Sequence, residues 1–191
     1  MGDALSMRLA GSLDSRDGYG NNIFTGSDIN DRDASAYRAT LVYDAGGPLT
    51  ATLSAQYYEE DDNNYAFSYF GQSEGSSIPV PFGVPILGGN TVGMVGGGFY
   101  DINSDQEPIN DRDGQLINLT IDYAFNDRWS LKSITSSQSM DRFLRDDLDS
   151  TDANLFGQNN YTEESDSFGQ ELILNYSSDR IDVLGLSLIH I

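Results

Sequence analysis

Hydrophobic and polar residues alternate one for one along several segments of this chain. Between Leu49 and Tyr57 the odd-numbered positions hold leucine, alanine and tyrosine, whereas the even-numbered positions hold threonine, serine and glutamine. Alternation with a period of two predicts a β-strand with one face in an apolar medium and the other in a polar medium. We therefore expect an all-β, antiparallel fold. The seven predicted strands cover about 4–13, 36–44, 49–57, 116–125, a segment that begins at Trp129 and has no clear phase after Lys132, 168–176, and a segment that begins at Ile181.

The connections between these strands alternate between very short and very long. The sequences DAGGP, NDR and SSDR each join two strands and are typical of tight hairpin turns. The other connections are polar loops of about 14–33, 61–112 and 144–165. Soluble sandwiches keep most connections short, whereas outer-membrane barrels combine short periplasmic turns with long extracellular loops. The motif NDRD occurs before two of the hairpins, at 30–33 and at 110–113, and indicates a repeated hairpin module.

Strand length and aromatic placement favour lipid as the apolar medium. Leu49 to Tyr57 spans about 27 Å, or about 20 Å along the membrane normal at a tilt of about 40°, close to the ~25 Å apolar band of outer-membrane barrels. Aromatic residues lie at both ends of the predicted strands, as interfacial girdles require. Those near the tight turns are Tyr43, Tyr123, Phe125, Trp129 and Tyr176, and those at the opposite end are Tyr37, Tyr57 and Tyr58.

Charged residues within the strands fall opposite the apolar stripe, as Arg38 and Glu171 illustrate. An arginine or lysine that faces lipid at the midplane costs about 2–4 kcal/mol, so we expect these side chains to face a wet lumen. The predicted lumen-facing residues are Arg38, Thr40, Gln56, Asn118, Asp122 and Glu171.

Composition excludes several functional classes. The chain has 30 acidic and 10 basic residues, a net charge of −20, which argues against nucleic acid as a partner. It has no cysteine, no apolar run of ~18 residues that would span a membrane as a helix, and no secretory signal in MGDALSMRLAG. Its one histidine, His190, has no nucleophile motif to serve, so we expect neither catalysis nor a cofactor.

Acid-rich stretches such as INDRDG resemble calcium loops. An EF-hand needs oxygen ligands at positions 1, 3 and 5, glycine at 6 and glutamate at 12. With Gly114 at position 6, Ile109 falls at position 1 and Thr120 at position 12, so the motif fails and no metal site is predicted. Calcium binding by loop carboxylates stays open as an alternative.

Three stretches resemble the barrel region of TonB-dependent outer-membrane receptors: DINDRDASAYRATLVYDAGGPLTATLSAQYYEEDDNNYAF, RWSLKSITSSQSMDRFLRDDLDS and YTEESDSFGQELILNYSSDRID. The resemblance implies about seven strands of a 22-stranded transmembrane barrel in the bacterial cell outer membrane. It also implies import of a scarce ligand, with a ferric siderophore as the leading class, using energy supplied by TonB. The implied partners are outer-membrane lipid, the small ligand, a plug domain and the TonB complex.

The chain departs from the full family pattern. We assign residues 1–185 to a partial barrel domain and find neither a plug domain nor a TonB box, so no energy-coupling residue is carried over. In residues 186–191 the alternation collapses, and we treat this tail separately, with the hypothesis that it is foreign to the barrel. Two other functions stay open: a passive porin-like channel, and a secreted calcium-binding β adhesin.

Overall fold

The structure, a computed structural model, describes residues 4–64, 66–67, 90, 95–154 and 158–191, although not the side chain of residue 158. This part of the chain forms nine strands, most of them long. They are β1 (Leu5–Arg16), β2 (Gly20–Asn21), β3 (Asp28–Ile29), β4 (Arg32–Asp44), β5 (Leu49–Asp62), β6 (Ile109–Ala124), β7 (Trp129–Asp147), β8 (Gln158–Ser177) and β9 (Asp182–His190). The all-β class is confirmed.

Seven of these strands form one antiparallel sheet in the order β1-β4-β5-β6-β7-β8-β9. Strands β2 and β3 form a separate two-stranded hairpin within the connection from β1 to β4. The register places Leu53 of β5 directly opposite Leu41 of β4 and Leu119 of β6. Because side chains alternate between the faces of a strand, this register sorts residues by face across the whole sheet.

We define two faces from the register. The apolar face carries the odd-numbered residues of β1, β4, β5, β6, β7 and β9 and the even-numbered residues of β8. The polar face carries the alternate positions. Leu53 and Leu119 thus share the apolar face, while Ser54 and Asn118 share the polar face.

At the tight turns, the strands begin or end close to the predicted residues. At the long-loop end, the strands are longer than the sequence predicts. Strand β7 runs from Trp129 to Asp147 and β8 starts at residue 158, so the loops are shorter than the predicted 14–33, 61–112 and 144–165. In the added segments both faces carry polar residues, which removes the alternation although the backbone ladder continues. The two-residue strands β2 and β3 were not predicted, because two residues show no period.

The three predicted tight turns are present and are held by local hydrogen bonds. In the first turn, Gly46 has a φ of 71° and its N–H donates to Asp44 Oδ1 at 2.9 Å. In the second, Asn126 Oδ1 accepts from the N–H groups of Arg128 and Trp129 at 2.9 and 3.0 Å. These contacts fix the hairpins, and therefore the register, at this end of the sheet.

Buried residues lie at the long-loop end and are mostly polar. Within the described ranges, only Ile29, Ile102 and Leu144 are buried hydrophobic residues, while ten polar or charged residues are buried. The aliphatic side chains of the sheet remain accessible, with Leu53 at 42% and Leu172 at 41%. The described sheet therefore has no packed hydrophobic layer against its apolar face. No helix in the described part of the chain is both long and apolar enough to cross a membrane.

Candidate functional site

All six residues predicted to face the lumen lie on the polar face. Arg38 is opposite Gln56, and the Arg38 Nε–H donates to Gln56 Oε1 at 3.0 Å. Asp122 is opposite Lys132, with 3.3 Å between Asp122 Oδ1 and Lys132 Nζ. Gln56 is neutral, so Arg38 keeps its positive charge, whereas Asp122 and Lys132 form an exposed pair of opposite charges. Surface pairs of this kind contribute little to stability, so their side chains remain free to exchange partners.

The other three predicted residues are more isolated. Thr40 and Asn118 both lie opposite Ser54, one on each side of β5. Glu171 lies further along the sheet, opposite Ile134 of β7 and Leu188 of β9. The register thus brings five of the six residues onto the neighbouring strands β4, β5 and β6 and leaves Glu171 apart on β8.

A charged network that was not predicted lies on the polar face toward the long loops. Glu60 forms ion pairs with both Arg32 and Arg112. Arg32 Nη1 also lies 3.3 Å from Asp62 Oδ2, and the Asn110 side-chain amide donates to Asp62 Oδ1 at 3.1 Å. We call these five residues the rim network. The Glu60 and Asp62 side chains are 5% and 0% exposed, so the arginines compensate carboxylates that have lost most of their water.

The two NDRD motifs of the sequence supply arginines to this network, but only the strand register shows that they do. Arg32 and Arg112 occupy the same position in the two NDRD motifs, and both contact Glu60. The first motif spans the start of β4 and the second lies among the first residues of β6, so pairing of β4, β5 and β6 places one arginine on each side of Glu60. The repeat thus supplies two equivalent cations to one carboxylate.

Arg142 of β7 lies directly opposite Arg112 and extends the rim network along the polar face. The Nε atoms of Arg112 and Arg142 are both buried and have no hydrogen-bond partner. The Arg112 guanidinium also lies 5.9 Å from the centre of the Tyr58 ring. The interpretation of Tyr58 as part of an aromatic girdle beside Tyr57 is therefore wrong, since adjacent residues of a strand point to opposite faces.

Basic residues are concentrated on one face of the sheet, whereas acidic residues occur on both. Seven of the ten basic residues lie in the sheet on the polar face: Arg8, Arg16, Arg32, Arg38, Arg112, Lys132 and Arg142. On the other face, just beyond the aliphatic positions, Glu59, Asp113, Asp141 and Glu164 stand opposite one another on four consecutive strands. We call these four residues the carboxylate row. Like charges opposed across strands are destabilising, so this row has a cost in free energy that the folded sheet must offset.

Aromatic residues border the aliphatic part of the apolar face. Near the tight turns, the ring centres of Tyr123 and Phe125 are 5.1 Å apart and those of Trp129 and Tyr176 are 4.7 Å apart. At the opposite end Tyr37 and Tyr57 lie directly across from one another. The aliphatic band between them is interrupted on β7, where the odd positions from 133 to 139 are serine and threonine.

The polar side chains in this interruption bond to one another. Thr135 Oγ1 donates to Gln170 Oε1 at 2.7 Å, and Gln170 Nε2 donates to Ser133 Oγ at 3.0 Å. Hydrogen bonds within the pair of strands lower the cost of placing these groups in an apolar medium.

The long-loop connections are tied to one another by a buried polar cluster. Asn22 Nδ2 donates to the carbonyl oxygen of Ser104 at 2.9 Å, and Ser104 Oγ donates to Asp147 Oδ2 at 2.8 Å. Thr151 N–H donates to the same oxygen of Asp147 at 3.2 Å. These bonds connect the segments before β4, before β6 and after β7. We call Asn22, Ser104, Asp147 and Thr151 the loop cluster.

Two carboxyl groups at the long-loop end of the sheet have opposite shifts in pKa. Burial raises the pKa of Asp147. The hydrogen bond from the Ser104 hydroxyl acts in the opposite direction and lowers this pKa, whereas the nearby charge of Asp149 raises it further. Backbone N–H groups of Gly98 and Asn21 donate to Asp101 and lower the pKa of that carboxyl. Asp101 therefore holds its negative charge more firmly than a free aspartate, whereas Asp147 is charged at a cost.

The site is a sheet with two chemically different faces, both accessible, rather than an enclosed pocket. In the ranges that the structure describes, no group of three or more histidine, aspartate or glutamate residues is arranged to hold a metal ion. Comparison of the chain with models of known families, with curated proteins and with solved structures finds no match. The arrangement of the two faces therefore carries the functional argument.

Proposed function

We propose that this chain forms part of the wall of a transmembrane β-barrel in the bacterial outer membrane. One observation carries the proposal: seven antiparallel strands place most aliphatic and aromatic side chains on one face and most basic side chains on the other, and the described residues form no packed core on the apolar side. Strand β9 departs from this sorting, since Leu184, Leu186 and Leu188 lie on the polar face. A soluble domain buries the apolar face of a sheet against another layer. A barrel wall instead turns that face toward acyl chains and its polar face toward the lumen.

We further propose that the barrel belongs to a TonB-dependent receptor that imports a scarce ligand, with a ferric siderophore as the leading class. The stretches quoted above resemble that family. The strands also extend well past the aromatic positions at the long-loop end, where the loop cluster joins three connections. Joined loops at the outer end of a barrel form a surface for ligand capture, for which a passive channel has less need.

Single-cysteine variants test the membrane placement without interference, since the chain has no native cysteine. Leu53→Cys and Ser54→Cys are matched neighbours on opposite faces, and Leu119→Cys with Asn118→Cys is a second pair on the adjacent strand. Each variant is labelled with a small fluorophore and folded into vesicles whose acyl chains carry bromine, a contact quencher.

We expect strong quenching at positions 53 and 119 and weak quenching at 54 and 118. A folded, water-soluble monomer in which 53 and 119 are protected from both water and brominated lipid would overturn the membrane placement. The receptor assignment has a separate test in cells that carry the complete gene. There, ligand uptake is expected to stop when TonB is deleted, whereas TonB-independent diffusion would identify a porin-like channel.

A further inference from the structure

The Arg112 and Arg142 guanidinium groups form an incompletely satisfied pair of cations on the polar face. The two residues are directly opposite one another on β6 and β7, where like charges destabilise the sheet unless something lies between them. Arg112 has one carboxylate partner, Glu60. Within the described part of the chain, the ion pairs involve Arg32, Arg112 and Lys132, so the Arg142 side chain has no carboxylate within ion-pair distance.

Both guanidinium groups are also underused as hydrogen-bond donors. The Nε atom of each is buried and lacks an acceptor. A guanidinium has five N–H donors in a planar fork that matches the oxygen atoms of a carboxylate or phosphate. Burial of such a donor without an acceptor has a cost, which an oxyanion between the two side chains would remove.

The surroundings determine how strongly the site attracts an anion. Arg32 pairs with Asp14, Glu60 and Asp62, and Arg112 shares Glu60, so the three arginines face three carboxylates and Arg142 is the one cation of the group without an ion-pair partner in the described residues. The nearest competitor is Glu163 of β8, which lies opposite Arg142 without forming an ion pair. The carboxylate row points to the opposite face of the sheet, so its charges do not occupy this site.

We propose that Arg142, together with Arg112, binds an oxyanion group of a small ligand, a carboxylate or a phosphate, on the polar face. The inference rests on the proposed function in one respect, namely that the polar face lines a water-filled passage. Seven of the ten basic residues lie on this face, although the chain as a whole has a net charge of −20. An anionic ligand would meet acidic loops outside and a cationic pair within.

The test is an NMR titration of the full chain with inorganic phosphate, with chloride at equal ionic strength as the control salt. The chain carries nine arginines, and the Nε–Hε signals are assigned by single substitution in ¹⁵N-arginine samples. We expect saturable shifts of the Arg142 and Arg112 signals. Arg142→Gln should weaken binding about tenfold or more, and Arg142→Lys should weaken it as well, since lysine lacks the planar fork. Arg128→Gln, in a tight turn, is the matched control.

Glu163→Gln supplies a second, independent variant. Removal of the competing carboxylate should raise the affinity for phosphate severalfold if Arg142 is the binding group. The inference is overturned if phosphate shifts Arg128 and Arg180 as much as Arg142, or if no saturable shift appears in the native chain and in Glu163→Gln. The titration is run in whichever medium folds the chain, detergent or water, so its failure is distinct from failure of the membrane placement.

Discussion

Leu53→Arg is the substitution that most directly measures the apolar medium. Leu53 lies on the apolar face of β5 between Leu41 and Leu119, four residues from Leu49 at the tight-turn end and four from Tyr57 at the other. Four residues rise about 14 Å, or about 10 Å along the membrane normal at a ~40° tilt. In the proposed membrane placement, Leu53 is therefore near the middle of an apolar band of about 20–25 Å.

An arginine at the midplane of a barrel costs about 2–4 kcal/mol. At about 1.4 kcal/mol per tenfold change, the ratio of folded to unfolded chain should fall roughly 30- to 700-fold. Two matched variants separate this effect from a general intolerance of arginine. Ser54→Arg points to the polar face and should cost at most about 0.5 kcal/mol, and Leu49→Arg, near the interface, should cost about 0–1 kcal/mol.

The assay is urea unfolding of the chain in lipid vesicles, followed by the fluorescence of Trp129, which is the only tryptophan. The free energies of unfolding of the three variants are compared with that of the native chain. Equal losses for Leu53→Arg and Ser54→Arg would refute the assignment of the odd-numbered face of β5 to lipid. A loss of the same size for Leu53→Arg in water without lipid would point to a protein core instead.

Three further outcomes follow from particular contacts. Gly114→Ala should destabilise the sheet by about 1–3 kcal/mol, because a Cβ there would be 2.6 Å from Tyr58 Oη and 2.8 Å from the carbonyl oxygen of Ser139; Gly11→Ala, where the nearest atom is at 3.4 Å, is the control in the same unfolding assay. Asp113→Asn should stabilise the chain by about 0.2–1 kcal/mol by relieving the carboxylate row, with a smaller gain at high salt; an unchanged midpoint at low salt, beside an Asp127→Asn control in a turn, would contradict the reasoning. Because the pKa of Asp101 is lowered, its contribution to stability is present above the pKa of a free aspartate, about 3.9, and is lost as the pH falls through the lower folded value. The amide NMR signal of Asn21, which donates to Asp101, should therefore titrate with a midpoint below about 3.9. This transition should disappear in Asp101→Asn.

The sequence by itself determined where the hairpins turn and, in most strands, which side chains share a face, although not in β7 after Lys132. Alternation such as that from Leu49 to Tyr57 is local, and the tight turns contain their own capping residues, as Asp44 and Asn126 illustrate. Alternation fails as a guide beyond Tyr57, where both faces of the strand are polar. The strand continues there to Asp62 because its backbone pairs with β6, a segment that follows some fifty residues later.

Only the tertiary structure decided the charged sites. Arg32, Glu60, Arg112 and Arg142 come from four different strands, and their meeting depends on the register of three strand pairs. A shift of one residue between β5 and either neighbouring strand would exchange the faces of that neighbour and move its arginine away from Glu60, and a shift between β6 and β7 would separate Arg142 from Arg112. The sequence shows the two NDRD motifs and their separation along the chain. It cannot show that both arginines reach one carboxylate, because cross-strand pairing is set by contacts between residues far apart in the chain.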